Sequence, residues 1–401
     1  MRILLLNLYY PPDTSATAKM AETVVNALAQ ENEVTILCGR PSYDPTERRD
    51  WRLYQSEVHD NIRIVRVGST AFPRFNMFKR LLNYLSYTKL VIPRALFTPC
   101  DAILAMTDPP FEGIIGAFVA MLKRKPYIYN IRDMYPDMAV GGSIVAPGLL
   151  ARVWEILHRW ALRRATNVIV LGEDMRNRIL AKGVRADQLE IVRDGAEILP
   201  ANMAPPSLDL DVIQKIRGDF RFVLLHAGNI GFYGAWESLV LAAKQLESDG
   251  VGLVFVGEGA QCAQVQALAD GAANIRFLPF FPAGKVTSVL AAPDAHLIAV
   301  KRGLEGVVVP SKMYGILAAG KPIVAVAPRE TDAVALGEQM GFSVGADPDR
   351  PEEIVRAVRA LANDQTTLQK MARAALVAAP AYDRVKELQK FVNIFSRLRL
   401  R

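Results

Sequence analysis

Short apolar runs alternate with longer stretches of helical periodicity along the chain. Apolar strands that take turns with helices are typical of α/β proteins with parallel sheets. In the first half, the pattern predicts strands at 2–6, 34–37, 62–67, 102–105, 127–131, 167–170 and 190–192. In the second half, it predicts strands at 222–226, 252–256, 275–277, 295–298, 322–326 and 341–344.

A segment without periodicity separates the two runs. Residues 194–207 read DGAEILPANMAPPS, and their three prolines favour a linker. We therefore predict an α/β fold of two Rossmann-like, doubly wound domains, 1–200 and 201–381, followed by a last helix within 382–401. Such sheets bind ligands at the carboxyl ends of their strands. We accordingly expect an active site in an interdomain cleft.

Composition narrows the class of protein. The chain is 51% apolar and 22% charged, as expected for a folded protein. Cys38, Cys100 and Cys262 lie far apart and form no disulfide framework, which favours a reducing, cytoplasmic compartment. The four histidines lack metal-ligand spacing, so we expect no metal and no cofactor. The start, MRILLLNLYYPP, has too short an apolar run for a signal peptide. The sequence contains no run of about 20 apolar residues, so we expect no membrane span.

The positive charge is concentrated in one segment. The net charge is +7, and seven basic residues but no acidic residue lie between Asn61 and Cys100. Within this stretch, 72–97 reads FPRFNMFKRLLNYLSYTKLVIPRALF, and a basic, aromatic-rich amphipathic helix is typical of an interfacial membrane anchor. The residues that we assign to the membrane are Arg74, Phe78, Lys79, Arg80 and Lys89. The alternative is a core helix whose basic edge is solvated.

The loop after the first strand carries candidate polar groups. It lacks the GxGxxG pattern of dinucleotide-binding proteins, which counts against an NAD enzyme. Asp13, Thr14 or Ser15 can cap the following helix, and the exposed amides of that helix could receive a phosphate or a sugar hydroxyl. An ordinary capped loop would have the same sequence.

Glycine-rich turns follow two successive strands of the second half. Their residues are Gly228, Asn229 and Gly231 in one turn and Gly257, Glu258 and Gly259 in the next. Either turn alone is a weak signal, because glycines often serve turns. Two of them on successive strands of one domain point to a nucleotide.

The sharpest motif is 303–322, GLEGVVVPSKMYGILAAGKP. Pro310 is a favoured first-turn residue, so the loop predicts a helix that begins there. Ser311 and Lys312 would then lie in its first turn, where amides, hydroxyl and ammonium suit a diphosphate. An ordinary capped helix is the weaker interpretation, because a first-turn lysine opposes the helix dipole.

Together these motifs resemble those of retaining glycosyltransferases of family four, which have the GT-B fold. The resemblance covers nearly the whole chain and is carried by YYPPDTSATAKMAE, TDPPFEG, IRDMYPDMAV, GNIG, VGEG and PSKMYGILAAGKP. More narrowly, the chain is similar to the branch that builds bacterial O-antigen, capsule and exopolysaccharide units on a polyprenyl diphosphate lipid. The resemblance implies that the last helix returns to the N-terminal domain.

The resemblance also implies roles for individual residues. The donor, a UDP- or GDP-linked sugar, would contact Gly228, Asn229, Gly231, Gly257, Glu258, Gly259, Glu305, Ser311 and Lys312, with 279–281 beside the base. Lys312 would neutralise the leaving phosphate, and Asp133 and Arg132 would complete the catalytic set. Asp133 could instead be a cap or pair with Arg132. The acceptor-side residues would be Thr14, Ser15 and Asp137.

Some family features are absent. Many members carry two glutamates eight positions apart, where this chain has Val307 and Gly315, and Glu305 is out of register by two. We still expect a glycosyltransferase at the inner face of the cytoplasmic membrane, with a polyprenyl-diphosphate glycan as acceptor and no nucleic acid partner. The alternatives are a sugar-nucleotide epimerase or hydrolase of the same fold, and a non-catalytic partner protein.

Overall fold

The computed structural model describes residues 1–41, 52–72, 77–198 and 207–399. The chain divides into two compact units. The first unit comprises Met1–Leu171, Arg176–Val192 and Leu388–Arg401, and the second comprises Gly172–Met175 and Arg193–Glu387. Most of the predicted linker, 199–206, lies outside the described residues.

Within the described residues, eight strands form the sheet of the first unit. They are β1 (Arg2–Leu6), β2 (Glu33–Cys38), β3 (Tyr54–His59), β4 (Ile62–Val67), β5 (Ala102–Ala105), β6 (Tyr127–Asn130), β7 (Asn167–Val170) and β8 (Leu189–Ile191). Their order is β3-β4-β2-β1-β5-β6-β7-β8, and all neighbours pair in parallel except β3 and β4. Strand β3 was not predicted, because its YQSEVH sequence is polar and it lies at the sheet edge.

The helices in this part of the chain are α1 (Ala16–Ala29), α2 (Met77–Phe97), α3 (Glu112–Lys123), α4 (Asp137–Gly141), α5 (Leu149–Arg164) and α6 (Glu173–Ala181). Helices α1, α2 and α3 pack on the strands, because parallel sheets bury their faces under helices. Helix α1 shows why the sequence folds in this way. Ala18, Ala21, Val25 and Leu28 recur at helical spacing and are fully buried against the sheet.

The sheet of the second unit has six strands in the described ranges, all paired in parallel. They are β9 (Phe222–Ala227), β10 (Val251–Val256), β11 (Ile275–Leu278), β12 (Ala295–Ala299), β13 (Ile323–Val326) and β14 (Ser343–Ala346), in the order β11-β10-β9-β12-β13-β14. The helices that follow the linker are α7 (Leu210–Arg217), α8 (Trp236–Gln245), α9 (Cys262–Leu268), α10 (Val286–Ala291), α11 (Lys312–Ala318), α12 (Asp332–Met340), α13 (Pro351–Asn363), α14 (Gln365–Ala378) and α15 (Arg384–Arg399).

Helix α15 ends in the core of the first unit. Phe391, Ile394 and Phe395 are buried in one apolar cluster with residues of β1 and β2, such as Ile3 and Ile36. The burial of two phenylalanines and an isoleucine contributes on the order of several kcal/mol.

Candidate active site

The two glycine-rich turns of the second unit contact each other. They follow β9 and β10, which are neighbours in the sheet. The Gly228 amide donates to the Val256 carbonyl at 2.9 Å, and the Ile230 amide donates to the Glu258 carbonyl at 2.8 Å. The predicted donor-binding residues of both turns are thus brought to the carboxyl edge of one sheet, where ligands of α/β proteins bind.

The glycines of these two turns differ in why a side chain is disfavoured at their positions. A Cβ on Gly257 would lie 2.1 Å from the Gly228 carbonyl oxygen, and a Cβ on Gly259 would lie 2.3 Å from the Ile230 carbonyl oxygen. Gly257 and Gly259 are therefore required by contact between the turns. Gly228 has a φ of 141°, and no atom lies within 4 Å of the position that its Cβ would take. Its backbone is open to close approach by a ligand.

Lys312 contacts a residue of β9 that the sequence did not single out. Its Nζ is 2.9 Å from Nδ1 of His226, the penultimate residue of β9. On the other side of the ring, His226 Nε2 is 3.4 Å from the Asn229 carbonyl oxygen. Burial, together with the charge of Lys312, holds the pKa of His226 well below its usual value. The neutral imidazole can therefore accept a hydrogen bond from the lysine and hold its amine in place.

Burial also changes the charge of Lys312 itself. Removing the ammonium from water disfavours its charged form and lowers the pKa of Lys312 to about 7. An anion placed beside the amine would restore the charge. The arrangement is therefore suited to a group that gains its positive charge when a phosphate binds.

The helix of the 303–322 motif begins later than predicted. The prediction placed its start at Pro310, but α11 begins at Lys312, with Ser311 at the N-cap position. The Met313 amide bonds to the Pro310 carbonyl and the Tyr314 amide to the Ser311 carbonyl, three residues back, so this segment is a tight turn. Ser311 is exposed, and its side chain makes no capping bond.

The loop before this helix is held by groups within the second unit. Glu305 Oε2 accepts a hydrogen bond from the Gly303 amide at 2.7 Å. Gly306 has a φ of 65° and packs on Asp174, since a Cβ there would lie 2.5 Å from the Asp174 carbonyl oxygen. The Glu305 carboxylate thus stabilises the loop to which it belongs.

Asp174 belongs to a buried carboxyl pair that was not predicted. Asp332 accepts hydrogen bonds from the amides of Glu173 and Asp174, and Asp174 accepts one from the Asp332 amide at 3.3 Å. Burial and the neighbouring Asp332 raise the pKa of Asp174 to about 7. Because the two acids cap each other's helices, the pair supports the loop at Gly306.

The positions of the missing family glutamates differ in environment. Val307 is fully buried in the apolar interior, so a carboxylate there would lose its hydration. Gly315 is partly exposed on α11, and a Cβ there would meet Leu290 Cδ1 at an ordinary 3.6 Å. Val307 is therefore an apolar core position, whereas Gly315 has room for a side chain.

In the first unit, two acceptor-side candidates have structural partners. Ser15 is the N-cap of α1 and its Oγ accepts from the Ala18 amide at 3.1 Å, whereas Thr14 is exposed. Asp137 forms ion pairs with Lys182 at 2.8 Å and Arg178 at 3.3 Å. Burial raises the pKa of Asp137, but these cations outweigh it and hold the pKa below its usual value. These contacts account for Ser15 and Asp137 without a ligand.

Arg132 and Asp133 follow β6 at the carboxyl edge of the first sheet. Both are partly buried. Asp133 and Asp108 lie within electrostatic range of the Tyr135 hydroxyl, which is itself buried. The predicted catalytic pair is thus part of a polar and aromatic edge of the first unit.

The residues of α2 that were assigned to the membrane differ in their exposure. Phe78 is 68% exposed, and Lys79 and Lys89 are exposed as well. Arg80 differs from them, because it is partly buried and bonds to Tyr84. Arg74 lies outside the described residues.

A second exposed apolar face was not predicted. It lies on α5, which packs on α3. Its exposed members are Leu149, Leu150, Val153, Ile156 and Leu157. The sequence LLARVWEILHRWALRR contains the signal, since its apolar residues are too many for the single buried face formed by His158, Ala161 and Leu162.

Comparison with known proteins decides the family. A model described as a glycosyl transferase 4-like domain matches residues 16–195, and a model described as glycosyl transferases group 1 matches residues 221–364. The chain belongs to glycosyltransferase family four. This glycosyltransferase is 25% identical, over 98% of its length and 99% of the relative's, to WcaI of Escherichia coli K12, whose name assigns it to colanic acid biosynthesis as a glycosyl transferase.

Solved structures confirm the predicted GT-B fold. Sucrose-phosphate synthase from Thermosynechococcus elongatus has a TM-score of 0.75 at 13% identity, covering 99% of each chain. Alr3699/HepE of Anabaena, solved with UDP-glucose, has a TM-score of 0.68 at 18% identity, covering 99% of this chain and 100% of that one. The family models and the curated relative confirm the predicted transferase class.

Proposed function

We propose that this glycosyltransferase of bacterial surface polysaccharide biosynthesis moves a sugar, with retention of configuration, from a nucleoside diphosphate to a polyprenyl-diphosphate-linked glycan. The donor assignment is carried by the contact of Lys312 with His226, whose ring also lies 3.4 Å from the carbonyl oxygen of Asn229, next to the open backbone of Gly228. Alr3699/HepE was solved with UDP-glucose, which supports a nucleotide sugar as donor.

Phe280 is the residue that we assign to the base. It is 55% exposed, and its ring lies 3.1 Å from the position of a Cβ on Gly257. An exposed ring beside two glycine-rich turns offers a stacking surface for a uracil or guanine. The diphosphate would then extend over Gly228 towards Lys312.

The reaction needs no nucleophile from the protein. The bond between the anomeric carbon and the donor phosphate breaks, the acceptor oxygen attacks from the same face, and its proton passes to the leaving phosphate oxygen. The protein's tasks are to neutralise that phosphate and to hold the acceptor close. We assign the first task to Lys312 and the second to Asp133 and Arg132. Since Lys312 supplies the positive charge, we expect activity to survive EDTA.

The proposed location is the cytoplasmic face of the membrane. No helix in the described ranges is long and apolar enough to cross a bilayer. Phe78 on α2 and Leu149 on α5 expose 68% and 78% of their surface, and each helix also carries exposed cations, such as Lys89 and Arg152. Apolar and basic residues together favour an anionic bilayer surface, with about 1 kcal/mol from each nearby cation.

Liposome flotation tests the location. Wild type should float with anionic vesicles and be released by salt. Changing Lys79 and Lys89 to glutamine, or Leu149 and Leu150 to glutamine, should reduce flotation. Arg63→Gln, on the exposed surface of β4, is the matched control. A wild-type protein that remains soluble at low salt would exclude the membrane location.

Donor-release assays test the activity. With purified protein and a panel of UDP- and GDP-sugars, nucleotide release should require the lipid-linked acceptor. Equal release without acceptor would indicate a hydrolase or epimerase. No turnover of any donor with membranes from a polysaccharide-producing cell would indicate a non-catalytic protein.

A further inference from the structure

Arg80 is oriented unlike the exposed cations of α2. Its Nε donates to the Tyr84 hydroxyl at 2.5 Å, and its guanidinium carbon lies 5.5 Å from the centre of the Tyr84 ring. Within the part of the chain that the structure describes, this is its one hydrogen bond, and it forms no ion pair there. A guanidinium has five N–H donors. Most of its binding capacity is therefore not used by the described protein.

Aromatic side chains lie near this guanidinium. Tyr84 packs edge-on against Phe111 at 6.1 Å, and Tyr135 stacks on Trp154 at 5.8 Å. The hydroxyls of Tyr9 and Tyr135 lie within electrostatic range of Arg80. We call these five residues the aromatic cluster: Tyr9, Tyr84, Phe111, Tyr135 and Trp154.

The aromatic cluster lies where ligands of α/β sheets bind. Tyr9, Phe111 and Tyr135 follow β1, β5 and β6, which are adjacent strands of the first sheet. The carboxyl ends of parallel strands meet at one edge. Small-ligand sites combine aromatic side chains with a few placed polar groups, and this edge carries both.

The charge indicates the chemistry of the ligand. A partly buried cation is costly unless an anion pairs with it. Arginine is suited to phosphate, because its planar fork donates two parallel hydrogen bonds to phosphate oxygens. Asp108 and Asp133 lie within electrostatic range of Tyr135, and carboxylates can accept hydrogen bonds from sugar hydroxyls. The set therefore fits a sugar joined to a phosphate.

We propose that Arg80 binds the diphosphate of the lipid-linked acceptor, with the first sugar against the rings of the aromatic cluster. This inference rests on the proposed function, and it assigns Arg80 to the acceptor instead of the membrane surface. Phe78, Leu81 and Leu82, which share the first turns of α2 with Arg80, are exposed. The lipid chain would then leave Arg80 along the helix that we propose to contact the bilayer.

A binding experiment tests the inference without any donor. The probe is farnesyl diphosphate, a short soluble polyprenyl diphosphate, titrated into the full-length protein and followed by calorimetry. Loss of a charge-assisted contact of about 1.5–3 kcal/mol predicts that Arg80→Gln weakens binding by about 10- to 150-fold. Arg80→Lys should retain part of the affinity, and Arg63→Gln should retain all of it. Equal affinity for wild type and Arg80→Gln would overturn the inference.

Additional measurements distinguish a lipid diphosphate from free phosphate as the ligand, and loss of binding from loss of folding. Inorganic pyrophosphate should bind far more weakly than farnesyl diphosphate. Equal, Arg80-dependent binding of both would show a site for free phosphate instead of a lipid. Thermal unfolding checks that Arg80→Gln folds, and Tyr84→Phe removes the hydrogen bond while leaving the cation. Arg80→Gln should float with anionic vesicles as wild type does, and loss of flotation with unchanged diphosphate binding would make Arg80 a membrane cation.

Transfer assays distinguish the two proposals. In membranes that supply the acceptor, Arg80→Gln should raise the acceptor KM and leave the donor KM unchanged. A wild type with no transfer but with Arg80-dependent diphosphate binding would refute the proposed function alone. An active wild type whose Arg80→Gln variant keeps its acceptor KM would refute this inference alone.

Discussion

Binding of a nucleoside diphosphate should depend on pH through Lys312. In the free protein, burial lowers the pKa of this lysine to about 7, so its amine is mostly neutral at higher pH. A bound diphosphate favours the ammonium, because an opposite charge at close range stabilises the charged form. The donor should therefore bind together with one proton.

The pKa sets the size of the effect. The lysine is charged before binding below about pH 7, and the cost of protonating it grows as the pH rises above that value. For one linked proton, affinity falls about tenfold per pH unit, which gives on the order of 50-fold between about pH 7 and about pH 9. The terminal phosphate is ionised throughout this range, since its second pKa is about 6.

Calorimetric titration with UDP and GDP across this range is the assay. Lys312→Arg, which stays charged at every pH, should flatten the curve, and Lys312→Met should bind weakly at every pH. Turnover of Lys312→Ala should fall by roughly two to three orders of magnitude, the scale for loss of one charge-stabilising group. A wild-type affinity that does not change with pH, or near-normal kinetics in a folded Lys312→Ala protein, would refute the assignment.

Four further predictions concern the second unit. Phe280→Ala should weaken nucleotide binding by about tenfold, the scale for losing one base-stacking ring, without lowering Tm; an unchanged Kd would place the base elsewhere. Gly315→Ala should raise the free energy of unfolding in urea by up to about 1 kcal/mol, since its Cβ meets only Leu290 at 3.6 Å. Gly315→Glu should not improve donor affinity, and a clear gain would show that the missing glutamate is a lost function. Asp174 binds its proton more tightly in the folded state, where its pKa is about 7, so the free energy of unfolding of the wild type should fall as the pH rises from about 4 to about 7. In Asp174→Asn the free energy of unfolding should change less over this pH range, and an equal change in both proteins would contradict the prediction.

The parallel strands were predictable because both of their faces are buried. Runs such as Leu4–Leu6 on β1 are apolar throughout, so they are visible without an alternating pattern. Strand β3 is the exception, since it lies at the edge with polar, exposed residues.

The site was predictable only where the signal is local. The sequence shows the glycines of the two turns. It does not show that Gly257 and Gly259 are required by the contact between the turns. His226 contacts Lys312 across 86 residues of sequence, so no spacing rule identifies it. Arg80 belongs to a basic run, and only its hydrogen bond to Tyr84 separates it from its neighbours.

The central claim is that a sugar passes from a nucleotide to a lipid diphosphate with its configuration kept. The most direct measurement is mass spectrometry and NMR of the lipid-linked product made by purified protein from a panel of UDP- and GDP-sugars. The account predicts a product heavier by one sugar, with one nucleoside diphosphate released for each transfer and the anomeric configuration of the donor. A product of inverted configuration, or release of nucleotide without any glycosylated lipid, would contradict it.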